Sequence, residues 1–247
     1  MDPALVTAVV LTRDEERNLP RALTSLPRGM AILVLDACSR DRTLAFARAS
    51  GANVVQRQWT NFVDARRYAL EQVRTPWAFM LDADEALDDV LRDAVLAAGG
   101  DEDGYWLLRT TYFCGKPMRL WRNERLLRLF RVGRAHLVEH PAAAQAAPVH
   151  EAWSCDGPTG RLDGTLLHYS YPDLGTYRRK YDAYTSLEAA TMRPSLLRAA
   201  GFALAGFVRA AWLLLGKGAL LDGPRGWYVA IRSAFYPAVA ARKALFR

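Results

Sequence analysis

Short apolar runs alternate with amphipathic segments along the first hundred residues, and this alternation predicts the fold class. Strands are predicted at four apolar runs: 5–11, 31–35, 53–57 and 77–81. Helical spacing of apolar positions appears at 62–73 and 88–98. Strands that alternate with helices in this way predict an α/β fold with an open, mostly parallel sheet.

Capping residues place the ends of two further helices. Thr12 with Glu15 three positions later is a capping-box pattern, which predicts a helix from that point through Ser25. A second helix follows residue 43 and is expected to end before Gly51, because glycine is favoured just beyond a helix end.

The pattern changes after residue 104. Residues 105–112 and 126–131 resemble strands of a hairpin-like or mixed region, and 141–148 is predicted to be a Pro/Ala loop. A last short strand is expected at 165–168 and a helix at 177–191. Since repeats and flexible linkers are not apparent, the sheet and its additions are predicted to form one domain over residues 1–175.

Charge divides the chain more sharply than its net value of +7 suggests. Residues 176–247 contain 12 Lys and Arg against 3 Asp and Glu, whereas the first 175 residues contain 21 against 23. A basic and apolar tail favours an anionic membrane surface as its partner. Nucleic acid is the other usual partner of a basic segment, but the Leu, Phe and Trp content of the tail argues against it.

The apolar stretch 195–215 is predicted to be an amphipathic helix lying on a membrane. Arg198 and Arg209 fall on one helical face, and a central arginine makes a membrane-spanning helix costly. A packed core helix and a true span remain as alternatives. The three cysteines lack the spacing of a zinc site or a disulfide framework, which fits a reducing compartment, and no signal peptide is apparent.

Asp82-Ala83-Asp84 is the sharpest chemical feature of the sequence. Residues i and i+2 of an extended segment point to the same side, so the two carboxylates converge at the end of the fourth strand. Mg²⁺ and Mn²⁺ take oxygen ligands and keep positions for substrate phosphates. The alternative is helix capping, because Asp82, Asp84 and Glu85 all precede a helix.

Asp36, like Thr12 and Asp82, falls at the same predicted edge of the sheet, and several arginines are further candidates. Asp36 directly follows the second strand, where it can accept from a nucleobase or ribose or else form a turn. Arg66, near the start of a helix, works against the helix dipole, so a phosphate partner and a solvated face are both open. Six arginines spaced by three, among them Arg128 and Arg131, are candidates for an anionic groove.

Two histidines and a glutamate complete the candidates. Glu151 follows His150 and precedes Trp153, and a carboxyl group beside an aromatic ring suits a general base. His168 is either a metal or phosphate ligand or a buried core histidine.

Taken in order, these segments resemble the family 2 glycosyltransferases of the GT-A fold, and within them the bacterial lipopolysaccharide-core β-1,4-glucosyltransferase group. The resemblance covers nearly the whole chain. The motifs that carry it are Leu11-Thr12-Arg13-Asp14-Glu15, Leu81-Asp82-Ala83-Asp84-Glu85, Arg128-Leu129-Phe130-Arg131, Val149-His150-Glu151, His168-Tyr169-Ser170-Tyr171 and Leu221-Asp222-Gly223 with Gly226.

The resemblance implies a GT-A (Rossmann-like) catalytic domain over 1–175 and a membrane-associating helical tail over 176–247. Thr12, Glu15, Asp36, Arg66 and Asp82 would bind the nucleotide-sugar, usually a UDP-sugar. The expected location is cytoplasmic, peripheral on the inner face of the cytoplasmic membrane.

The same resemblance implies roles in catalysis. Asp84 would hold Mg²⁺ or Mn²⁺ with help from His168, and Glu151 would be the general base of a single, inverting displacement. Arg128, Arg131 and His150 would contact the diphosphate or a glycan or lipid-linked acceptor.

Two other functions share some of these features. A sugar-phosphate nucleotidyltransferase shares the sheet architecture but needs a glycine-rich basic loop after the first strand, where residues 12–18 are acidic and lack glycine. A non-catalytic membrane scaffold is disfavoured by the intact Asp36, Asp82, Asp84 and Glu151.

Overall fold

The computed structural model describes residues 1–59, 61–139 and 151–247. Its described residues form two compact units. The first contains Met1–Arg109 together with the described parts of Asn123–Ala144 and Pro148–Ser170, and the second contains Thr110–Arg122 and Tyr171–Arg247. The functional division into a catalytic part at 1–175 and a membrane-associating tail at 176–247 stays a prediction.

The first unit begins as an alternating α/β fold, as the apolar pattern predicts. Its elements are β1 (Val6–Thr12), α1 (Leu19–Ser25), β2 (Ala31–Asp36), α2 (Thr43–Ala49), β3 (Asn53–Gln56), α3 (Phe62–Glu71) and β4 (Trp77–Asp82). β3, β2, β1 and β4 are neighbours in that order, and all their pairings are parallel.

Both faces of the parallel strands are buried, because successive side chains of a strand point to opposite faces. On β1, Ala8 and Val10 pack into the apolar cluster that contains Leu19 of α1. Val9 of the same strand packs into the other cluster, with Ala65 of α3. Helices therefore cover the sheet on both sides, and the carboxyl ends of the strands are left as the open edge.

The rest of the unit makes the sheet mixed. Its elements are β5 (Glu85–Leu87), α4 (Asp89–Ala97), β6 (Gly104–Phe113), β7 (Lys116–Pro117), β8 (Glu124–Arg131), β9 (Ala135–Glu139), β10 (Glu151–Cys155) and β11 (Thr159–Tyr171), with β7 lying in the second unit. The strand order continues from β4 through β8, β6 and β11 to β5. β4 pairs with β8 and β11 with β5 in antiparallel fashion, and β9 and β10 form a separate two-stranded sheet.

β11 is fixed in register at two places. The backbone N–H of Tyr169 donates to the carbonyl of Asp84 at 2.8 Å, and His168 pairs with Glu85. Gly164 has a φ of +89°, and a Cβ there would lie 2.1 Å from the backbone nitrogen of Leu91. A side chain at this position would collide with the start of α4.

Several predicted boundaries were wrong. Thr12 does not open a helix: it is the last residue of β1, and α1 begins only at Leu19. Asp82 and Asp84 do not cap α4, whose N-cap is Asp88, accepting from the N–H of Leu91 at 2.7 Å. β5, β9 and β10 were not predicted, and β11 is much longer than 165–168. The predicted loop 141–148 lies outside the described residues.

The second unit is mainly helical. Its helices are α5 (Leu174–Thr191), α6 (Leu196–Ala211) and α7 (Gly223–Leu245), and a π-helical turn, Trp212–Gly216, extends α6. Its core includes Phe113, Tyr177 and Ala230. Gly226 allows the first turn of α7 to approach the preceding chain, because a Cβ there would lie 1.8 Å from the carbonyl oxygen of Ala219.

α6 packs on α7 along one face only. The rings of Phe207 and Phe235 meet edge to face at 5.2 Å, and Gly206 lies against Phe235. In the described part of the chain, one helix, Leu196–Gly216, has the length and apolar composition of a membrane span, and almost none of it is buried. Leu197 is 88% exposed, and Leu204 and Val208 are similarly exposed.

Candidate active site

The carboxyl ends of three parallel strands lie at one edge of the first unit. Thr12 ends β1, Asp36 ends β2 and Asp82 ends β4. The register pairs Thr12 with Asp36, and Leu11 with Asp82. Ligands of open α/β sheets bind beyond this edge, so the structure brings the three residues to the place where a ligand is expected.

Two arginines hold the carboxylate of Asp82. Arg66 of α3 donates to one carboxylate oxygen at 3.2 Å, and Arg128 of β8 donates to the other at 3.1 Å. Burial alone would raise the pKa of Asp82, but the positive charges of Arg128 and Arg66 outweigh it and hold that pKa well below its ordinary value. Asp82 is therefore ionised at neutral pH, with an arginine on each oxygen.

Glu85 is the buried residue that fixes these arginines, and the sequence suggested it only as a helix cap. Its side chain is fully buried, and one oxygen accepts from Arg109 and from Arg128, each at 3.0 Å. Its other oxygen accepts from the backbone N–H of Asp82 at 3.0 Å. A buried charge needs such partners, so Glu85 sets the position of both Arg128 and the Asp82 turn.

Arg109 is a second residue that sequence reasoning missed. It bridges Glu85 and the more exposed Glu124, to which it donates at 2.7 Å. The sequence did contain an indication of its role, because Arg109 is the only charged residue of β6. A lone charge within an otherwise uncharged strand indicates a buried ion pair.

Asp84 and His168 form a pair beside this network. Nε2 of His168 lies 3.4 Å from Oδ2 of Asp84, and each side chain is 15% exposed. Asp84 lies in the turn between β4 and β5, whereas His168 comes from β11, whose backbone is bonded to that turn. The structure therefore joins two predicted metal ligands that are far apart in sequence.

The donor set fits a divalent cation that is shared with a substrate. Ligands of Mg²⁺ lie about 2.1 Å from the ion, which puts neighbouring ligands roughly 3 Å apart, close to the observed Asp84–His168 separation. Among the described residues, no group of three or more His, Cys, Asp and Glu side chains surrounds one point. Such a cation would thus take its remaining ligands from water and substrate phosphates.

The loops after β1 and β2 are bonded to each other. Asp36 is fully buried and accepts from the backbone N–H of Ser39 at 2.9 Å and from its hydroxyl. The N–H of Glu15 donates to the Thr43 hydroxyl at 2.8 Å. Asp36 thus shapes its own turn, and its predicted contact with the base stays a prediction, as does that of Glu15.

The hydroxyl of Thr12 has an open hydrogen-bonding capacity. Thr12 is 2% exposed, and its Oγ1 has no hydrogen-bond partner among the described residues. Leaving a buried hydroxyl unsatisfied costs about 1–3 kcal/mol, so a ligand that bonds to it would recover that energy. The predicted contact of Thr12 with the nucleotide stays a prediction.

Arg131 lies away from this edge, and two other predicted site residues are at or beyond the limit of the described residues. Arg131 pairs with Trp77 at the opposite end of β4, roughly 16 Å from Asp82 at about 3.3 Å per residue, and donates to the carbonyl of Glu102. Arg131 therefore lies away from the carboxyl edge, and its predicted contact with the diphosphate or acceptor stays a prediction. His150 lies outside the described residues, and the backbone of Glu151 starts β10.

Comparison with known proteins decides the family. A model of Glycosyl transferase family 2 matches residues 7–150, which include every strand end described above. The chain belongs to this family.

Relatives of this family 2 glycosyltransferase include a protein of lipopolysaccharide biosynthesis. The lipopolysaccharide core biosynthesis glycosyltransferase LpsC of Rhizobium meliloti is 30% identical over 196 residues, which cover 74% of this chain and 70% of LpsC. An uncharacterized glycosyltransferase of Rickettsia bellii is 27% identical over 128 residues, 51% of this chain and 42% of that protein. The predicted resemblance to lipopolysaccharide-core enzymes is confirmed.

The fold of the glycosyltransferase is also confirmed by a solved structure. The mannosyltransferase PcManGT of Pyrobaculum calidifontis, solved in complex with GDP-Man and Mn²⁺, has a TM-score of 0.53 and 17% identity. The match covers 99% of this chain and 89% of that structure. This likeness supports the predicted GT-A architecture with helices after the sheet.

Proposed function

We propose that this glycosyltransferase moves a hexose, such as glucose, from a UDP-sugar to a glycan or lipid-linked acceptor of the cell envelope, with inversion. The observation that carries the proposal is the Asp84–His168 pair, 3.4 Å apart beside the ionised Asp82 at the carboxyl edge of the sheet. Transfer from a nucleotide-sugar needs a place where a cation can be held against the diphosphate.

Asp84 and His168 would hold Mg²⁺ or Mn²⁺. When bound, the cation neutralises the charge that develops on the departing diphosphate. The Mn²⁺ reported with PcManGT, which shares the fold, supports a divalent cation here. A carboxylate oxygen is a suitable ligand for both Mg²⁺ and Mn²⁺.

Residues of the strand ends would bind the donor. Thr12 offers a buried hydroxyl without a partner, and Asp36 and Glu15 belong to the two bonded loops beside it. Asp82 would accept from hydroxyls of the ribose or sugar, and Arg66 would contact the diphosphate from the position that it holds on Asp82. Arg128 and His150 would lie toward the diphosphate or acceptor.

Glu151 would act as the general base. It would take the proton of an acceptor hydroxyl while that oxygen attacks the anomeric carbon and the bond from that carbon to the diphosphate breaks. A single displacement of this kind inverts the configuration at the anomeric carbon and releases UDP. The backbone of Glu151 begins β10. Its role as the base is inferred from the sequence motif Val149-His150-Glu151.

The acceptor would be carried on a membrane. The helix Leu196–Gly216 is exposed and apolar, and the tail carries 12 Lys and Arg against 3 Asp and Glu. A surface of this kind suits the interface of an anionic bilayer. The relation to LpsC supports a lipopolysaccharide-core acceptor on the cytoplasmic face.

Thermal denaturation tests the metal and donor parts of the proposal. UDP with Mn²⁺ is expected to raise the melting temperature of the wild type more than UDP alone. Asp84→Asn should abolish the metal-dependent part of this increase, while Asp163→Asn, an exposed carboxylate, should retain it. If Asp84→Asn keeps the full increase, the metal assignment is wrong.

A screen of UDP-sugars, with the anomeric configuration of the product read by NMR, tests the reaction itself. An inverted product that is lost in Glu151→Gln is expected. Retention of configuration would contradict the single displacement, and full activity of Glu151→Gln would remove that residue as the base.

A further inference from the structure

The second unit contains a cavity of about 220 Å³ that has no part in the chemistry described above. It lies among α5, α6, α7 and the chain that precedes them. Aromatic rings form most of its wall, from Trp121, Tyr171, Tyr177, Tyr181, Tyr184 and Tyr236. Arg209 and Ser233 also line it.

The rings present faces and edges in several directions rather than one stack. Trp121 and Tyr171 lie 5.2 Å apart with their planes at 33°, whereas Tyr171 and Tyr177 meet at 70°. The face of an aromatic ring carries partial negative charge, so it attracts the polarised C–H groups on the face of a sugar ring. Walls in different directions can contact more than one side of such a ring.

The hydroxyl groups of these tyrosines are partly used within the protein. Tyr177 is bonded to Ser233, Tyr181 donates to the carbonyl of Arg232 at 3.1 Å, and Tyr236 is bonded to Glu188. These bonds hold the rings in place. The cavity is therefore a preformed aromatic recess in which few polar groups remain to determine ligand specificity.

Arg209 is the charged group of this recess. Its guanidinium has neither an ion pair nor a hydrogen bond among the described residues, and it is exposed at the same time as it lines the cavity. An arginine fork recognises carboxylate or phosphate oxygens with charge-assisted hydrogen bonds. Arg209 thus favours a ligand with an anionic group attached to the ring.

Size restricts the ligand to one ring. Pockets for drug-sized ligands measure about 300–1,000 Å³, and this cavity is smaller. A hexose with one anionic substituent suits its volume, its aromatic walls and its arginine. A lipid chain would fill the recess but would leave Arg209 without a partner.

We propose that this recess binds one anionic sugar ring of the acceptor, and so acts as a saccharide subsite on the membrane-associating unit. The identification of the ligand as part of the acceptor rests on the proposed function. α6 contributes Arg209 to the recess and an exposed apolar face beyond it, which suits a sugar that is anchored in a membrane.

Saturation-transfer NMR with the full chain tests the subsite without turnover, using glucuronic acid, glucose 6-phosphate and glucose as probes. Wild type is expected to bind the two anionic sugars about tenfold more tightly than glucose, the effect of one hydrogen bond to a charged group. Arg209→Gln should remove this preference. Arg198→Gln, which deletes the same charge from the same helix outside the recess, should keep it.

Tyr184→Leu provides a second variant, which should weaken the binding of all three sugars alike because it removes a ring of the wall. Circular dichroism confirms that each variant is folded. Equal binding of glucose and the anionic sugars by wild type would overturn the proposal, as would equal losses in Arg209→Gln and Arg198→Gln. So would saturation transfer to a prenyl phosphate chain in place of the sugars.

Acceptor kinetics separate this proposal from the proposed function. In a working transfer assay, Arg209→Gln should raise the KM for the acceptor about tenfold and leave the KM for the UDP-sugar unchanged. If transfer is never detected but the anionic sugars bind through Arg209, the reaction is misassigned and the subsite stands. If transfer occurs and Arg209→Gln is neutral, the subsite is wrong and the reaction stands.

Discussion

At the scale of single residues, Glu85 is the buried carboxylate that holds two arginines of the site in place. It joins Arg109, Arg128 and the backbone of Asp82, and its side chain is fully buried. Removing one partner of a buried ion pair leaves the other charges uncompensated in a medium that solvates them poorly. The stability of the site therefore depends on a residue that we do not expect to touch the substrate.

Glu85→Gln is expected to lower the free energy of unfolding by about 3–5 kcal/mol, because it removes the fully buried carboxylate that Arg128 and Arg109 share. Glu124→Gln is the matched control, since Glu124 also pairs with Arg109 but has a 48% exposed side chain. Its cost should stay below about 1 kcal/mol. Urea unfolding followed by circular dichroism measures both, and equal losses would contradict the role of Glu85.

The depressed pKa of Asp82 makes a prediction for acid stability. Its arginine partners favour the ionised form in the folded state, so the unfolded chain binds the proton more readily. This contribution to stability is complete above the unfolded pKa near 3.8 and is lost as the pH falls below it. Melting temperatures between pH 6 and pH 3 should fall more steeply for wild type than for Asp82→Asn.

Asp163→Asn, which changes an exposed carboxylate, controls for the general effect of lost charge. It should follow the wild-type curve. A slope for Asp82→Asn as steep as that of wild type would show that the arginines do not stabilise this carboxylate.

The sequence predicted the location of those residues whose place in the sheet follows from their position at a strand end. Thr12, Asp36 and Asp82 were placed by the rule that parallel strands end at one edge. Glu85 was missed because its partners Arg109 and Arg128 are 24 and 43 positions away, and only the folded sheet brings them together. The position of Arg131 on the sheet could not be predicted, because its spacing from Arg128 does not reveal in which direction β8 runs.

At the scale of elements, Gly226 sets the geometry at the start of α7. Gly226→Ala is expected to cost about 3 kcal/mol, because its Cβ would collide with the carbonyl of Ala219. Gly201→Ala in α6 has nothing within 4 Å of the added Cβ and should stabilise the helix by about 1 kcal/mol. Thermal unfolding of both variants checks this difference, and a neutral Gly226→Ala would contradict the close approach.

Element prediction was most accurate where the apolar pattern is strong. β1 to β4 and α3 lie close to their predicted ranges. β11 was predicted only at its centre, because Gly160, Asp163 and Gly164 interrupt the alternation that indicates a strand. β5 has three residues and is defined by its pairing with β11, which the local sequence does not encode.

At the scale of the whole molecule, the exposed apolar residues of α6 explain the predicted affinity for membranes. Leu197 and Leu204 are 88% and 74% exposed, so replacing them affects binding more than folding. Deleting the tail after Ser195 would instead remove buried residues of the second unit, such as Val229 and Ala230. Point substitutions therefore give the cleaner test.

Leu197→Glu with Leu204→Glu is expected to reduce co-sedimentation with vesicles of anionic lipid at least tenfold, because each change removes buried apolar area at the interface and adds a like charge. The melting temperature should change little. Val90→Glu, on an exposed residue of the first unit, is the control and should sediment as wild type does. Undiminished sedimentation of the double variant would contradict an interfacial role for α6.

The two contacts that fix β11 constrain how the length of this strand can change in evolution. Gly164 is locked against Leu91, and Tyr169 is bonded to Asp84, with His168 between these two anchors. Inserting or deleting one residue between the anchors would turn the imidazole to the opposite face of the sheet. The number of residues between Gly164 and Tyr169 is therefore constrained, unlike the length of a surface loop. We therefore expect a one-residue length change there to weaken the proposed metal site.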